Sequence, residues 1–432
     1  MIPSDQPGTP APRSGLRESH AHIAMLGREL SALALHDCTS RAEALDRIAR
    51  EAARRRDARE PGWLVAAGVR VEAWDEPRWP TMQELDARCP GCACFVRGFD
   101  YHSCAVNRQA FEHAGLRDAS INPPGGVICR DSDGSPTGLL LEAAYGLVRD
   151  SIPEPTRDQW KPMLRLGLST LASHGFLEVH DLLSQPWLGA LLAEIHDAGD
   201  LPLRVRLYVP WDRIGEEVAS ARAYLRPGRV ELGGGKAFAD GTLNSRTAWM
   251  LGPYRDPLPG HPCGSALMPE PALRGAMEAC AGVGVSLAVH AIGDGAVRAV
   301  LNAREATPGA NVRIEHAEVI DADDVPRFAA VGVTCSVQPC HLLYDAEVLR
   351  RQLPHRLERV LPLRDLLASG LVPGQGLVFG SDAPIVRPDP GDSIIAATLR
   401  RRLGTGPEVA VAPGQAISPE LAWACFAATG RA

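Results

Sequence analysis

Short apolar runs recur along the C-terminal two-thirds of the chain, each followed by turn residues and then a helix-like segment rich in Ala, Leu and Arg. A strand buried on both faces reads as a continuous aliphatic run, and strands that alternate with helices read as βα units pairing in parallel. Seven such runs stand at 176–182, 203–209, 229–238, 285–290, 312–316, 333–339 and 377–382. The segment LRESHAHI at 16–23 makes an eighth, the number that closes a (β/α)8 barrel. The expected fold is therefore α/β, a distorted (β/α)8 TIM barrel. About 150 residues separate the first run from the second, too many for one crossover, so an insertion is expected there. The division reads as a Pro-rich tail at 1–15, the first barrel strand at 16–26, an inserted α/β lid region at 27–155 and the rest of the barrel at 156–432. Within the insertion, VICRDSDGSPTGLLLE at 127–142 has the form of a hairpin with DSDG at its turn. An insertion after a barrel strand lands at the C-terminal mouth, where it can cover a site.

Composition narrows the function classes. Of 432 residues, 45% are hydrophobic and 22% charged, the balance of an ordinary globular protein. The net charge of −7 predicts no general attraction to nucleic acid or to anionic membranes. No stretch offers 18 uninterrupted apolar residues and the first residues have no apolar leader core, which predicts a cytoplasmic protein. Eleven scattered cysteines fit reduced thiols, and the CPGCAC cluster at 89–94 reads as a loop carrying them. Among 45 basic residues only Lys161 and Lys236 are lysine. Guanidinium cannot replace an amine that must lose its proton, so a lysine retained against such a bias marks Lys236, in the Gly-rich run ELGGGKAFADG, for chemistry.

His20 and His22 are two apart, so on a strand both face one side and can share an ion. His290 ends SLAVH, His316 ends VRIEH and Asp382 follows LVFGS, each a ligand type at the C-terminal end of an apolar run. In a barrel those ends converge, and Lys236 occupies the corresponding place on the fourth run. His180 and Asp181 end the second run in the same way.

The ordered segments SHAHI, GGGKAFADGTLNSRTAWM, VHAIGDGAV, RIEHAEVI, SVQPCHLLYD and GSDAPI resemble the amidohydrolase superfamily, specifically amidohydrolase family 3, which includes N-substituted formamide deformylases. GFDYHSCAVNRQAF and NPPGGVICRDSDGSPTGLLLEAA in the insertion agree with it. The resemblance implies one or two divalent metal ions, zinc first among them. His20 and His22 with Asp382 would hold one ion, His290 and His316 a second, and Lys236, carboxylated, would bridge them. It implies hydrolysis of a non-peptide C–N bond in an N-substituted formamide, amide, carbamate or cyclic amide, with Asp382 as general acid and base. His341 and Arg246 occupy motif positions that imply catalytic roles; Glu142, His102 and Trp249 imply substrate contacts. Asp294 and Asn107 stand in the same segments, and Trp74, Trp79 and Tyr344 are candidates for an apolar pocket lining.

Three departures qualify the resemblance. The family's β-sandwich halves before the HxH strand and after the last barrel helix are expected to be lacking here, which would leave a barrel face exposed and make a second copy of the chain a candidate partner. Arg17 and Glu18 stand where a buried parallel strand prefers aliphatics, which predicts a weakened first ligand pair. Asn244 stands where a small residue is usual. Two alternatives therefore stay open: a superfamily outlier catalysing isomerisation, elimination or cyclisation of a small molecule, and a catalytically silent binding barrel.

Overall fold

A computed structural model of the protein describes residues 15–428 apart from 61, 75, 100 and 101, so the expected Pro-rich tail falls, but for Gly15, outside the described residues. The chain forms two compact units, one comprising Arg28–Met163 and the other the chain up to Gly27 together with Leu164 onward.

The second unit is the barrel. Its strands are β1 (Leu16–Ala21) and, beyond the β2–β7 of the other unit, β8 (Phe176–Leu182), β9 (Arg204–Pro210), β10 (Val230–Phe238), β11 (Ser286–Ala291), β12 (Val312–His316), β13 (Thr334–Val337) and β14 (Leu377–Phe379). They pair in parallel in the order β1-β8-β9-β10-β11-β12-β13-β14, and the eight apolar runs of the sequence are these eight strands. Closure comes just past β14, where Asp382 N donates to His20 O at 2.7 Å and His22 N donates to Ala383 O at 2.8 Å. The distorted (β/α)8 barrel is thus observed, with a helix following most strands.

Two local features make this closure feasible. In β10 the run of three glycines lets the neighbouring strand approach closely: a Cβ at Gly234 would lie 1.9 Å from Ser286 O on β11. In β1 the polar residues are buried with the rest, and every position of the strand is inaccessible. Arg17 donates to Gly374 O at 2.8 Å and to Ser19 Oγ at 3.0 Å. Glu18 Oε1 accepts from His20 N at 3.0 Å and from Ser381 N at 2.9 Å. These two polar side chains, unexpected in a buried parallel strand, tie β1 to the segments around β14.

The barrel interior is correspondingly polar. Arg313, buried on β12, donates to Ser19 O at 2.7 Å, to Ser336 Oγ at 2.8 Å and to both Glu315 oxygens, and it lies 2.7 Å from His180 Nδ1. His180 Nε2 lies 2.8 Å from Glu178 Oε1. Both ring nitrogens of His180 are committed to protein partners, so this residue is a structural link and not a ligand. Around the network opens a cavity of about 500 Å³ lined by Arg17, His180, Arg206, Tyr208, Ser286 and Arg313, towards the N-terminal ends of the strands.

The Arg28–Met163 unit is a six-stranded mixed sheet of β2 (Leu33–Ala34), β3 (Leu64–Val69), β4 (Cys94–Gly98), β5 (Ser103–Val106), β6 (Gly126–Arg130) and β7 (Pro136–Glu142), in the order β2-β3-β4-β5-β7-β6. The 127–142 hairpin forms as β6 and β7, with Gly134 at φ +86° in its turn. Ser40 caps the Arg41–Asp57 helix, and Thr81 with Glu84 closes a capping box on Met82–Arg88. Trp74 belongs to the core of this unit and donates its indole N–H to Cys38 O, with Trp79 packed against the same cluster. Cys89 and Cys92 form a disulfide, contrary to the expectation of reduced thiols. The chain reverses through Gly91 at φ +82°, so the two Cα atoms stand 6.1 Å apart, within bridging range. The other cysteines among the described residues are free. No described helix is long and apolar enough to cross a membrane.

Gly234→Ala is expected to force β10 from β11 and to lower stability by about 3 kcal/mol, read as a shift of the urea midpoint; a midpoint within error of the parent would refute the close approach.

Candidate metal centre

The strand ends that carry the sequence-predicted ligands lie at one end of the barrel, and its closing seam sets the first group. His20 Nε2 lies 3.3 Å and His22 Nε2 3.0 Å from Asp382 Oδ1. Ligand atoms around a tetrahedral zinc with bonds of ~2.0–2.1 Å are separated by roughly 3.3 Å, which both separations from Asp382 match, and the three ligand atoms all lie within 4.8 Å of one another. His20 Nδ1 lies 2.7 Å from Glu315 Oε2. A carboxylate on the outer nitrogen accepts a hydrogen bond from its N–H, which fixes the tautomer and leaves Nε2 as the lone-pair donor facing the site. Arg313 holds Glu315 in turn. Burial opposes charge on Glu315, but Arg313 and His20 keep the carboxyl well below its ordinary range.

The remaining predicted residues form the other wall. His316 packs its ring against His290 at 4.5 Å and His20 at 4.9 Å, and against His341 at 5.9 Å. His290 Nε2 donates to Gly241 O at 2.9 Å. Lys236 is 2% exposed, and its Nζ lies 5.1 Å from the Phe238 ring centroid with no hydrogen-bond partner. Burial pulls its amine down to about 8. Burial likewise lowers His20 and His290 to about 4 and His316 well below the ordinary value, so all three present neutral imidazoles, the form that ligates. Burial opposes the charge of Asp382, yet His20, His22 and His341 hold it below the usual carboxylate range. His341 behaves oppositely to the other imidazoles. Burial acts against its charge, but Glu318, Asp382 and Asp345 outweigh it and lift it to about 9.

Backbone strain concentrates at the ligands. His316 has φ +72°, Ala317 φ +42° and Asp382 φ +64°, left-handed conformations that side-chain-bearing residues rarely adopt. The turn at His316 and Ala317 breaks the two-residue alternation of β12 and brings Glu318 to the same centre, its Oε1 3.3 Å from His341 Nδ1. Lys236 Nζ, His316 Nδ1 and His341 Nε2 are all buried without a hydrogen-bond partner. Three unmatched nitrogens in one cluster are what a cation site presents when described without its ion.

Other candidates stand apart from this cluster. Arg246 donates to Asp256 O and Oδ2 at 2.8 and 2.7 Å, beside a smaller cavity shared with Asn244, Arg255 and Gln352. Asn244 donates to Asp345 Oδ1 at 2.8 Å. Trp249 holds the loop after β10, its N–H donated to Asp240 and its carbonyl accepting from Gly295 and Ala296. Asp294 is fully buried, accepting from Leu251 N and pairing with Arg356. His102 and Glu142 belong to the Arg28–Met163 unit, where they are paired at 2.8 Å and largely exposed. Asn107 caps the helix Arg108–His113 and Tyr344 is exposed. The sequence gives Asp240, Glu315 and Glu318 no signal beyond a carboxylate within a few residues of a candidate ligand, and it shows Glu18 only as a polar misfit in a buried strand.

Comparison with known proteins agrees with this geometry. The sequence profile of the amidohydrolase family matches residues 14–428. The chain is 29% identical over 398 residues to YtcJ of Bacillus subtilis, a protein named as an amidohydrolase, covering 90% of this chain and 73% of that one. It is 24% identical over 381 residues to the N-substituted formamide deformylase of Arthrobacter pascens, covering 84% and 68%. A crystal structure of a metal-dependent hydrolase from Pyrococcus furiosus superposes with a TM-score of 0.74 at 25% identity, covering 95% of this chain and 80% of that one.

Glu18→Gln keeps an acceptor for His20 N and Ser381 N, whereas Glu18→Ala leaves both amides unmet. The alanine variant is expected to lose about 2–4 kcal/mol of stability and its metal, and the glutamine variant to keep both. Urea unfolding and elemental analysis read this, and equal behaviour of the two variants would count against the clamp.

Proposed function

This chain belongs to the amidohydrolase family and is a metal-dependent hydrolase, and from that premise we propose that it cleaves a non-peptide C–N bond in a small molecule, such as an N-substituted formamide, amide, carbamate or cyclic amide. The observation that carries the reading is the trio His20, His22 and Asp382, whose ligand atoms gather within 4.8 Å of one another, with both imidazoles 3.0–3.3 Å from the carboxylate. The bond class is supported by the likeness to an N-substituted formamide deformylase.

His20, His22 and Asp382 would hold the ion, and the balance of imidazole and carboxylate donors favours zinc. When bound, the ion supplies Lewis acidity towards a carbonyl and a source of hydroxide near neutral pH. The residues of the chain supply orientation and proton movement. Glu315 and Arg313 fix the His20 ring. Asp382 Oδ1 faces the two imidazoles, while Oδ2 lies 3.9 Å from His341 Nε2. Oδ2 is therefore the oxygen proposed to accept the proton of the attacking water and to return it to the departing nitrogen, with His341 positioned to steady that carboxylate. Lys236, His290 and His316 form the opposite wall.

Incubation of the zinc-loaded protein with a panel of N-substituted formamides and amides is expected to give an amine and an acid whose masses together exceed the substrate by one water. Asp382→Asn is expected to lower turnover by roughly 10²–10⁴-fold. A product isomeric with its substrate in mass spectrometry would replace hydrolysis by isomerisation or cyclisation, and full turnover by Asp382→Asn would remove Asp382 from proton transfer.

A further inference from the structure

The barrel has a second concavity, at the opposite ends of its strands from the candidate ligands. Ser286 and Thr334, the first residues of β11 and β13, line the cavity of about 500 Å³, as do Arg17 and Arg313, the second residues of β1 and β12; His316 is the last residue of β12. The volume lies within the roughly 300–1,000 Å³ of small-molecule sites. Arg17, Tyr208 and Arg313 are buried at its base, whereas Asn311 and Gln375 are exposed at its rim, so the space has a closed floor and an entrance from solvent.

Its charge is of one sign. Arg17, Arg206 and Arg313 line it, and among the described residues of the lining there is no Asp or Glu. The carboxylates that partner these arginines stand outside the lining: Glu315 holds Arg313, and Glu231 lies 3.1 Å from Arg206. Glu178, whose charge acts on Arg17, is shared with Arg204 at 3.0 Å and His180 at 2.8 Å. Burial pulls the Arg17 guanidinium down to about 10; Glu178 opposes this, and the like charges of Arg313 and Arg206 add to it. An anion among these groups relieves a repulsion that the fold leaves in place, and the planar fork of arginine matches the paired oxygens of phosphate and carboxylate.

We propose that this cavity binds a small oxyanion, the phosphate or carboxylate group of a metabolite, at the N-terminal face of the barrel. The site is separate from the metal centre and does not depend on the hydrolytic reading.

The test is calorimetric titration of the full-length protein with inorganic phosphate and, separately, with succinate, in about 0.15 M sodium chloride so that diffuse attraction is screened. The parent is expected to bind one equivalent of at least one of them. Phosphate alone identifies a phosphate ester as the ligand class, succinate alone a carboxylate, and both a site that reads the shared oxyanion. Asn311→Asp and Gln375→Glu are isosteric and bring a carboxylate to the rim, and Arg206→Gln removes one charge from a side chain that is 43% exposed. Each is expected to weaken binding about tenfold, with circular dichroism confirming the fold. His22→Ala, altered at the other end of the barrel, is expected to bind as the parent does. A parent that binds neither anion overturns the proposal. So does binding that withstands all three floor substitutions, or that is lost with His22→Ala, which would place the anion at the metal centre.

Discussion

The structure depends on the seam that closes the barrel. β1 does not meet β14 itself but the four residues beyond it, through Asp382 N to His20 O and His22 N to Ala383 O. The same seam carries His20, His22 and Asp382, the proposed first metal trio. Glu18 draws both sides together, taking one amide from each with a single carboxylate oxygen. Closing the sheet and assembling the ligands are therefore one event. A one-residue slip in this register would turn both imidazoles of HxH to the opposite face, so the hydrophobic pattern that sets the register also sets the chemistry.

A second layer of constraint lies beneath the ligands. Arg313, Glu315 and His20 form a buried chain in which each member satisfies the next. Such ionic groups inside a barrel add little net stability, and removing one partner leaves an uncompensated charge worth about 3–5 kcal/mol. Their return is geometric: Glu315 selects the His20 tautomer, and Arg313 reaches Ser19 O and Ser336 Oγ, joining β12 to β1 and β13. The interior that an ordinary TIM barrel fills with aliphatic layers is used here to orient a ligand.

Much of this was legible in the sequence. The eight strands were readable because strands covered on both faces are written as aliphatic runs, and the ligand residues because they terminate those runs. The supporting carboxylates were not. Glu315 and Glu318 flank His316 at one and two residues, but nothing in a sequence distinguishes a buried glutamate from a solvated one, and the strained turn at His316 and Ala317 that recruits Glu318 has no glycine to announce it. Arg17 and Glu18 were misleading for the same reason. Read singly they are misfits in a buried strand; paired with Gly374, Ser381 and His20 they are its anchors. His180 sat at the right end of its strand but was claimed by Glu178 and Arg313, partners on its own strand and on β12.

The distribution of unmatched nitrogens gives the site its direction. Several buried polar groups beneath the site form closed circuits: Asp240 takes three backbone amides, Arg313 five acceptor contacts, Asp181 an amide and a hydroxyl, whereas the other unmatched atoms of the barrel, on Gln185, Arg304, Arg359 and Arg400 among others, belong to residues outside the ligand candidates. Among the ligand candidates the circuits are left open at Lys236, His316 and His341. Desolvation keeps His316 neutral, a lone-pair donor, while the carboxylates around His341 outweigh its burial and hold a proton on it. What sets these three nitrogens apart is that they stand in one cluster beside the His20, His22 and Asp382 trio, partly on a strained backbone, where a metal-dependent hydrolase needs its donor atoms.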